Sequence, residues 1–155
     1  GINHVCADGV IAGCKVVDVK IDFYDGKMHP VDSNDMAFQI AGRHAFVDAV
    51  KNAQPKLLEP IYKIQVKVPD DVMGDVMGDI SSRRGKVQGM DSDGHFQVIN
   101  AEVPLAHLHD YATALKSMSS GRGMFSNEFS HYEDMPHLEA EKVISKWETA
   151  RAAGE

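Results

Sequence analysis

The sequence predicts an α+β protein organised around a duplicated strand–helix–strand unit, and three observations carry that reading. First, Tyr62, Ile64, Val66 and Val68 alternate with polar residues, the period of a half-buried strand. Second, Pro69 opens a stretch in which Val72, Met73, Val76, Met77 and Ile80 recur at helical spacing and make one apolar stripe. Third, the same order returns 35 residues later. Val103-Pro104 opens a second helical stretch, with Leu105, Leu108, Ala112, Leu115 and Met118 on its stripe, Gly121-Arg122-Gly123 closes it, and a strand-like run follows. Two such units in tandem predict a split βαβ, ferredoxin-like sandwich. A partial βα piece precedes it and a C-terminal helix follows.

The preceding piece begins with Gly1 to Gly13. Ile2, Val5, Cys6, Val10 and Ile11 are apolar enough for a core, no capping residue stands ahead of them, and the stretch reads as the end of a helix cut from a longer protein. Val17, Val19, Ile21 and Phe23 alternate with Asp18, Lys20, Asp22 and Tyr24, which predicts a half-buried strand. Asp25-Gly26 is a turn signal, and Lys27, Met28, His29 and Pro30 form a protruding loop. Asp32 or Ser33 is placed to cap the next helix, about Asn34 to Lys51, whose apolar residues nearly circle its axis. Such a helix is normally covered on more than one side. One strand and a helical stub do not suffice, so the sequence predicts self-association through residues 1–56. Asn52 to Pro60 holds two prolines and reads as a boundary.

In the first repeat unit, Pro69 suits a first helical turn because its missing N–H costs little there. Asp70 and Asp71 sit where the helix dipole favours negative charge, and Arg83 and Arg84 where it favours positive charge. Gly85 is expected in the left-handed conformation that ends helices. A strand over Lys86 to Met90, a turn at Asp91-Ser92-Asp93-Gly94 and a strand from Phe96 to Val103 follow. The alternation slips at Val98-Ile99, which suggests a bulge there. Met124 to Phe129 is the fourth strand. Pro136 starts the last helix, with Ala140, Val143, Ile144 and Trp147 as its stripe.

The chain has 155 residues, 43% of them apolar and 25% charged, within the range of one ordinary domain or two small ones. No apolar run approaches the ~20 residues of a membrane-spanning helix. Cys6 and Cys14 are the only cysteines, a poor disulfide framework that favours a reducing compartment, here the cytoplasm. A net charge of −7 argues against nucleic acid unless basic residues gather locally.

No residue set points to catalysis. There is no GxSxG elbow and no GxxxxGK[ST] phosphate loop, so nucleotide binding by this chain is not expected. His107 and His109 lie about 200° apart around a helix and cannot chelate together, and the other histidines are scattered, so no metal site is expected. Asp71, Asp75 and Asp79 read as a solvated acidic face. Two basic spots remain. Arg83, Arg84 and Lys86 gather at one helix end, Lys116 and Arg122 at the other, and the repeat suggests that both ends form one phosphate-facing patch. Gly74 and Gly78 fall opposite the apolar stripe. Two glycines inside a helix cost about 2 kcal/mol against alanine, which packing of the inward face cannot explain. The close approach of a partner surface can.

Three segments resemble the C-terminal part of bacterial elongation factor G: VVDVKIDFYDGKMHPVDSNDMAFQIAG, LLEPIYKIQVKVPDDVMGDVMGDISSRRGKVQGM and VPLAHLHDYATALKSMSSGRGMFSNEFSHYEDMP. The resemblance covers nearly the whole chain. It implies that residues 1–56 are the end of domain IV and residues 57–155 are domain V with the C-terminal helix. His29 falls at the histidine of the family's YDG-x-x-H-x-VDS loop, at the tip that enters the decoding centre beside tRNA and mRNA. Arg83-Arg84-Gly85 and Gly121-Arg122-Gly123 match the family's RRG and GRG turns. The resemblance implies ribosome and RNA contact through Lys27 and His29 in residues 25–33. It also implies large-subunit rRNA and stalk-base contact through residues 57–155, with Arg83, Arg84, Lys86 and Arg122 as candidates. Gly74 and Gly78 are the partner-facing pair.

Three departures stand against the family pattern. Cys14-Lys15 replaces the usual Tyr-Pro, Ser126, Asn127 and Glu128 are more polar than the usual strand, and the GTPase domain is absent. The first two suggest an elongation-factor-G-like paralogue, including one specialised for ribosome recycling. The third implies that GTP and Mg belong to the longer parent protein and that this chain is not itself an enzyme. The alternatives from other classes are a free-standing ferredoxin-like regulatory domain that binds a small ligand and a small metal-dependent hydrolase using the histidines.

Overall fold

The computed structural model describes residues 1–154, so the last residue of the expected second domain lies outside the described residues. The chain divides into two compact units: Leu58–Asp134, and Gly1–Leu57 together with the stretch from Met135 onward.

The first of these is a two-layer sandwich. Its strands are β1 (Leu58–Pro69), β2 (Lys86–Asp93), β3 (Phe96–Pro104) and β4 (Met124–Asp134), in one antiparallel sheet of order β2-β3-β1-β4. Helices α3 (Met73–Ser82) and α4 (Tyr111–Met118) each follow a short 3-10 turn, Asp70–Val72 and Leu105–His107. The order strand, helix, strand, strand, helix, strand is the split βαβ sandwich expected from the repeat.

The core is the layer between helices and sheet. Ile64, Val66 and Val68 of β1 and Ile99, Ala101 and Val103 of β3 meet Val76 and Ile80 of α3 and Tyr111 and Leu115 of α4. The α3 stripe is as the spacing predicts: Val76 and Ile80 are buried, and Met73 and Met77 pack against them. The α4 stripe differs. Ala112 is exposed and Tyr111 takes the inward position, edge-on to Phe125 with ring centroids 5.1 Å apart. The helix begins at Tyr111, after the 3-10 turn, and this late start resets which residues face the sheet.

Several boundaries also move. β2 runs to Asp93, so the hairpin turns on Gly94-His95 alone, with Gly94 at φ 66° supplying the left-handed residue. The bulge expected at Val98-Ile99 is absent from β3, whose register against β1 is unbroken. The irregularities lie between Val87 and Gly89 on β2, and opposite Ile61/Tyr62 on β4, where Ser130 is left unpaired.

The second unit holds α1 (Ile2–Asp8), α2 (Asp35–Asn52) and α5 (His137–Ala152). Asn34, rather than Asp32 or Ser33, caps α2: its side chain accepts the Ala37 N–H at 2.8 Å. Val17–Tyr24 is not a strand. A strand needs a neighbour to take its backbone hydrogen bonds, and none is present there among the described residues. Asp18, at φ 55°, breaks the run, and Val17, Val19 and Ile21 stay 43–49% exposed. On α2, Phe46 is buried while Met36, Phe38 and Ile40 are exposed. On α5, Ala140, Ile144 and Trp147 are half-buried and Val143 is exposed.

Candidate functional site

The two helix ends of the sandwich share one piece of backbone chemistry. At the end of α3, Gly85 N–H donates to Ile80 C=O (2.8 Å) and Arg84 N–H to Ser81 C=O (3.1 Å). At the end of α4, Gly121 N–H donates to Lys116 C=O (2.8 Å) and Ser120 N–H to Ser117 C=O (3.4 Å). Both are Schellman closures. Arg84 (φ 62°) is left-handed in one, and Ser120 (φ 52°) together with Gly121 (φ 80°) in the other, which corrects the expectation for Gly85. Gly85 is a glycine for want of space: a Cβ there would lie 2.4 Å from Ile80 Cγ2 and 2.7 Å from its carbonyl oxygen.

Four basic residues of these ends are engaged by carboxylates, while Lys116 is exposed and has no carboxylate partner among the described residues. Arg83, whose side chain is only 14% exposed, binds Asp79 through Nε (2.7 Å). Its Nη1 binds Asp110 (2.6 Å) and the His107 carbonyl (2.7 Å), and its guanidinium lies 5.2 Å from the centre of the Tyr111 ring. Arg84 makes a two-pronged pair with Glu59, Nη2 to Oε1 at 2.5 Å and Nη1 to Oε2 at 3.0 Å, and Glu59 is buried. Lys86 reaches Glu133 at 3.1 Å, and Glu133 also meets His131 Nε2 at 3.0 Å. Arg122 grips Asp71 through both Nη atoms, at 3.3 and 2.8 Å.

These pairs shift titrations in the direction geometry requires. The hydrogen bond from Arg122 holds the Asp71 carboxyl below its usual range, and that from Arg83 does the same for Asp110. His131 and then Lys86 lower Glu133. Burial pushes the Tyr111 phenol well above its usual value.

The structure does not bring the two basic ends into one patch. Arg83, at the end of α3, pairs with Asp110 at the start of α4, while Arg122, beyond the end of α4, pairs with Asp71 ahead of α3. The helices therefore lie head to tail, and the two basic ends are separated by about 18 Å, the rise over the 12 residues from Asp71 to Arg83. Helical spacing along one chain carried no information on this; the pairing of strands set it. Sequence reasoning also missed Glu59, which reads as one more polar residue at a strand start and becomes the buried anchor of Arg84.

Gly74 and Gly78 open outward: a Cβ at either would have no neighbour within 4 Å. The 25–33 loop is largely exposed. It is tied by Ser33, whose Oγ accepts the His29 N–H (2.8 Å) and whose N–H donates to the His29 carbonyl (3.1 Å). The His29 ring is 68% exposed, with Nδ1 3.4 Å from both the Val31 N–H donor and Asp32 Oδ2. Lys27 stands exposed beside it.

The split βαβ sandwich and the unit that carries the tied, exposed loop each match a known protein family. Residues 1–54 match the sequence model of elongation factor G, domain IV, and residues 56–143 that of the elongation factor G C-terminus. The chain belongs to the elongation factor G family. Its fold is also similar to the crystal structure of a protein from Thermus thermophilus, at 40% identity and a TM-score of 0.82 over 96% of this chain. The chain spans 22% of the length of that protein. Among the described residues no cluster of three or more His, Cys, Asp or Glu is placed to hold a metal, and no helix is long and apolar enough to cross a membrane.

Proposed function

We propose that this chain is the ribosome-binding module of a cytoplasmic translational GTPase that promotes movement of tRNA and mRNA during elongation. The observation that supports it most is the consecutive match to the domain IV and C-terminus models, carried on a fold that superposes along nearly the whole chain. In this reading the 25–33 loop, with Lys27 and His29, enters the small-subunit decoding centre. The Leu58–Asp134 sandwich meets large-subunit rRNA and the stalk base. GTP and Mg are handled by the rest of the longer protein, because the sequence here carries no phosphate-cradling loop.

The ion pairs refine which residues make the contacts. Arg83 is consumed by Asp79 and Asp110, so its role is to set the end of α3 rather than to meet phosphate. Lys86 and Arg122 remain about half-exposed or more and keep a face toward solvent. The test is co-sedimentation with bacterial ribosomes. The chain is expected to pellet with ribosomes in a salt-dependent way, and calorimetric titration with GTP is expected to give no heat of binding. A chain that stays in the supernatant at low salt overturns the proposal.

A further inference from the structure

The charge of this chain is negative, but three of its cations gather at one place in the helical unit. In the sandwich, Arg83, Arg84, Lys86 and Arg122 all face carboxylates. In the helical unit, a cavity of about 880 Å³ lies between α1 with the loop after it, α2 and α5. Lys51 and Arg151 line it, and neither has a carboxylate partner among the described residues. Arg43 and His44 line the same cavity, as do two carboxylates, Asp8 and Glu148, and Asp8 lies a loose 3.8 Å from Arg43.

The cavity also holds the one tryptophan of the chain. The Arg151 guanidinium lies 5.2 Å from the centre of the Trp147 ring. Gly13, left-handed at φ 63°, presses on the indole edge; a Cβ there would lie 2.9 Å from Nε1. The ring thus has backbone close to its edge and a guanidinium within cation–π range. Bases stack on aromatic rings and on arginine planes alike, while lysine and arginine neutralise the phosphates between them. An acidic peptide would use the cations but has no need of the stack. Val47 and Ile144 add apolar lining.

We infer that this cavity is an RNA-docking site, in which a single-stranded segment stacks a base on the Trp147–Arg151 pair and sets its phosphates on Lys51 and Arg43. For its source of RNA the inference rests on the ribosome reading above, but its test does not need ribosomes.

The probe is a 12-nucleotide oligouridylate, and the readout is the fluorescence of Trp147 in the full chain. Saturable quenching is expected. Lys51→Glu with Arg151→Glu, both at exposed positions, should weaken it at least tenfold. The one lost phosphate contact, at Lys51, should also flatten the dependence of log affinity on log salt by about 0.7. The control variant, Lys142→Glu with Lys146→Glu, makes the same charge change on α5 away from the cavity, and should weaken binding less than threefold. Fluorescence anisotropy of labelled RNA with Trp147→Phe, which keeps a ring, should show binding largely retained. Absence of quenching, an equal loss in both charge variants, or tighter binding of a 12-residue polyglutamate overturns the inference. If ribosomes fail to pellet the wild-type chain while the RNA titration behaves as expected, the ribosome reading falls and the site stands.

Discussion

Arg83 and Asp110 lie 27 residues apart in sequence and 2.6 Å apart in space, joining the end of one helix to the start of the other. Arg122 and Asp71 make the reciprocal bond at 2.8 Å. The duplication thus closes on itself: each repeat supplies the cation for the other's helix start. At both starts the carboxylate meets a favourable helix dipole as well as an arginine.

Removing the buried end of the Arg84 pair should be costly. Glu59→Ala leaves a guanidinium, one-third exposed, without its partner, on a residue already held in the left-handed region. A loss of about 2 kcal/mol is expected, below the figure for fully buried pairs because water reaches the arginine. Urea denaturation measures it. A change under about 0.5 kcal/mol would mean that the pair does not brace the fold.

The three glycines of the α3 region should separate by sign. Gly74→Ala with Gly78→Ala fills open space and should raise the melting temperature, with a gain of up to about 2 kcal/mol. The same pair in the longer protein should impair its work on the ribosome if a partner approaches there. Gly85→Ala drives a Cβ into Ile80 and should lower stability by about 1–3 kcal/mol. Thermal melts of the two variants moving the same way would contradict this.

Acid should unfold the sandwich through its ion pairs. Asp71, Asp110 and Glu133 have folded-state values lowered from 3.8, 3.8 and 4.5. A lowered value means that the unfolded chain binds protons first, so the stabilisation is full above the ordinary carboxylate range. It is lost as pH falls through that range and then through the lower folded values. Asp71→Asn with Asp110→Asn should flatten stability against pH below about pH 5 and leave the slope near pH 7 unchanged. An undiminished acid slope in the double variant would show that other carboxylates govern it.

His29→Ala tests the loop. The ring's polar contacts stay within its own loop, so its loss should change stability by less than ~0.5 kcal/mol, as for an ordinary surface substitution. Under the proposed function, translocation by the full-length protein should slow while its GTP turnover holds. An equal fall in both rates would assign His29 to binding or stability instead.

Much of the sandwich was legible because its signals are local. The period-two run ending at Val68, the period of α3, and the 35-residue return of Val-Pro each concern patterns written within a few turns of chain. The outward direction of Gly74 and Gly78 follows from the same period. In the helical unit the alternating Val17–Tyr24 run misled, because alternation states that a segment suits a sheet and not that a sheet is there.

By itself, then, the sequence determined the element types, the inward stripe of α3, the repeat and the family motifs. Only the tertiary structure decided which charges meet. Arg83 and Arg122 look alike at two helix ends, yet strand order β2-β3-β1-β4 lays the helices head to tail and sends each arginine to the other's carboxylate. Burial of Glu59 and the assembly of Trp147, Arg151 and Lys51 around one cavity are of the same kind. The physical reason is range. Propensity and periodicity act over a few residues, whereas an ion pair or a cavity depends on segments brought together by packing from anywhere in the chain.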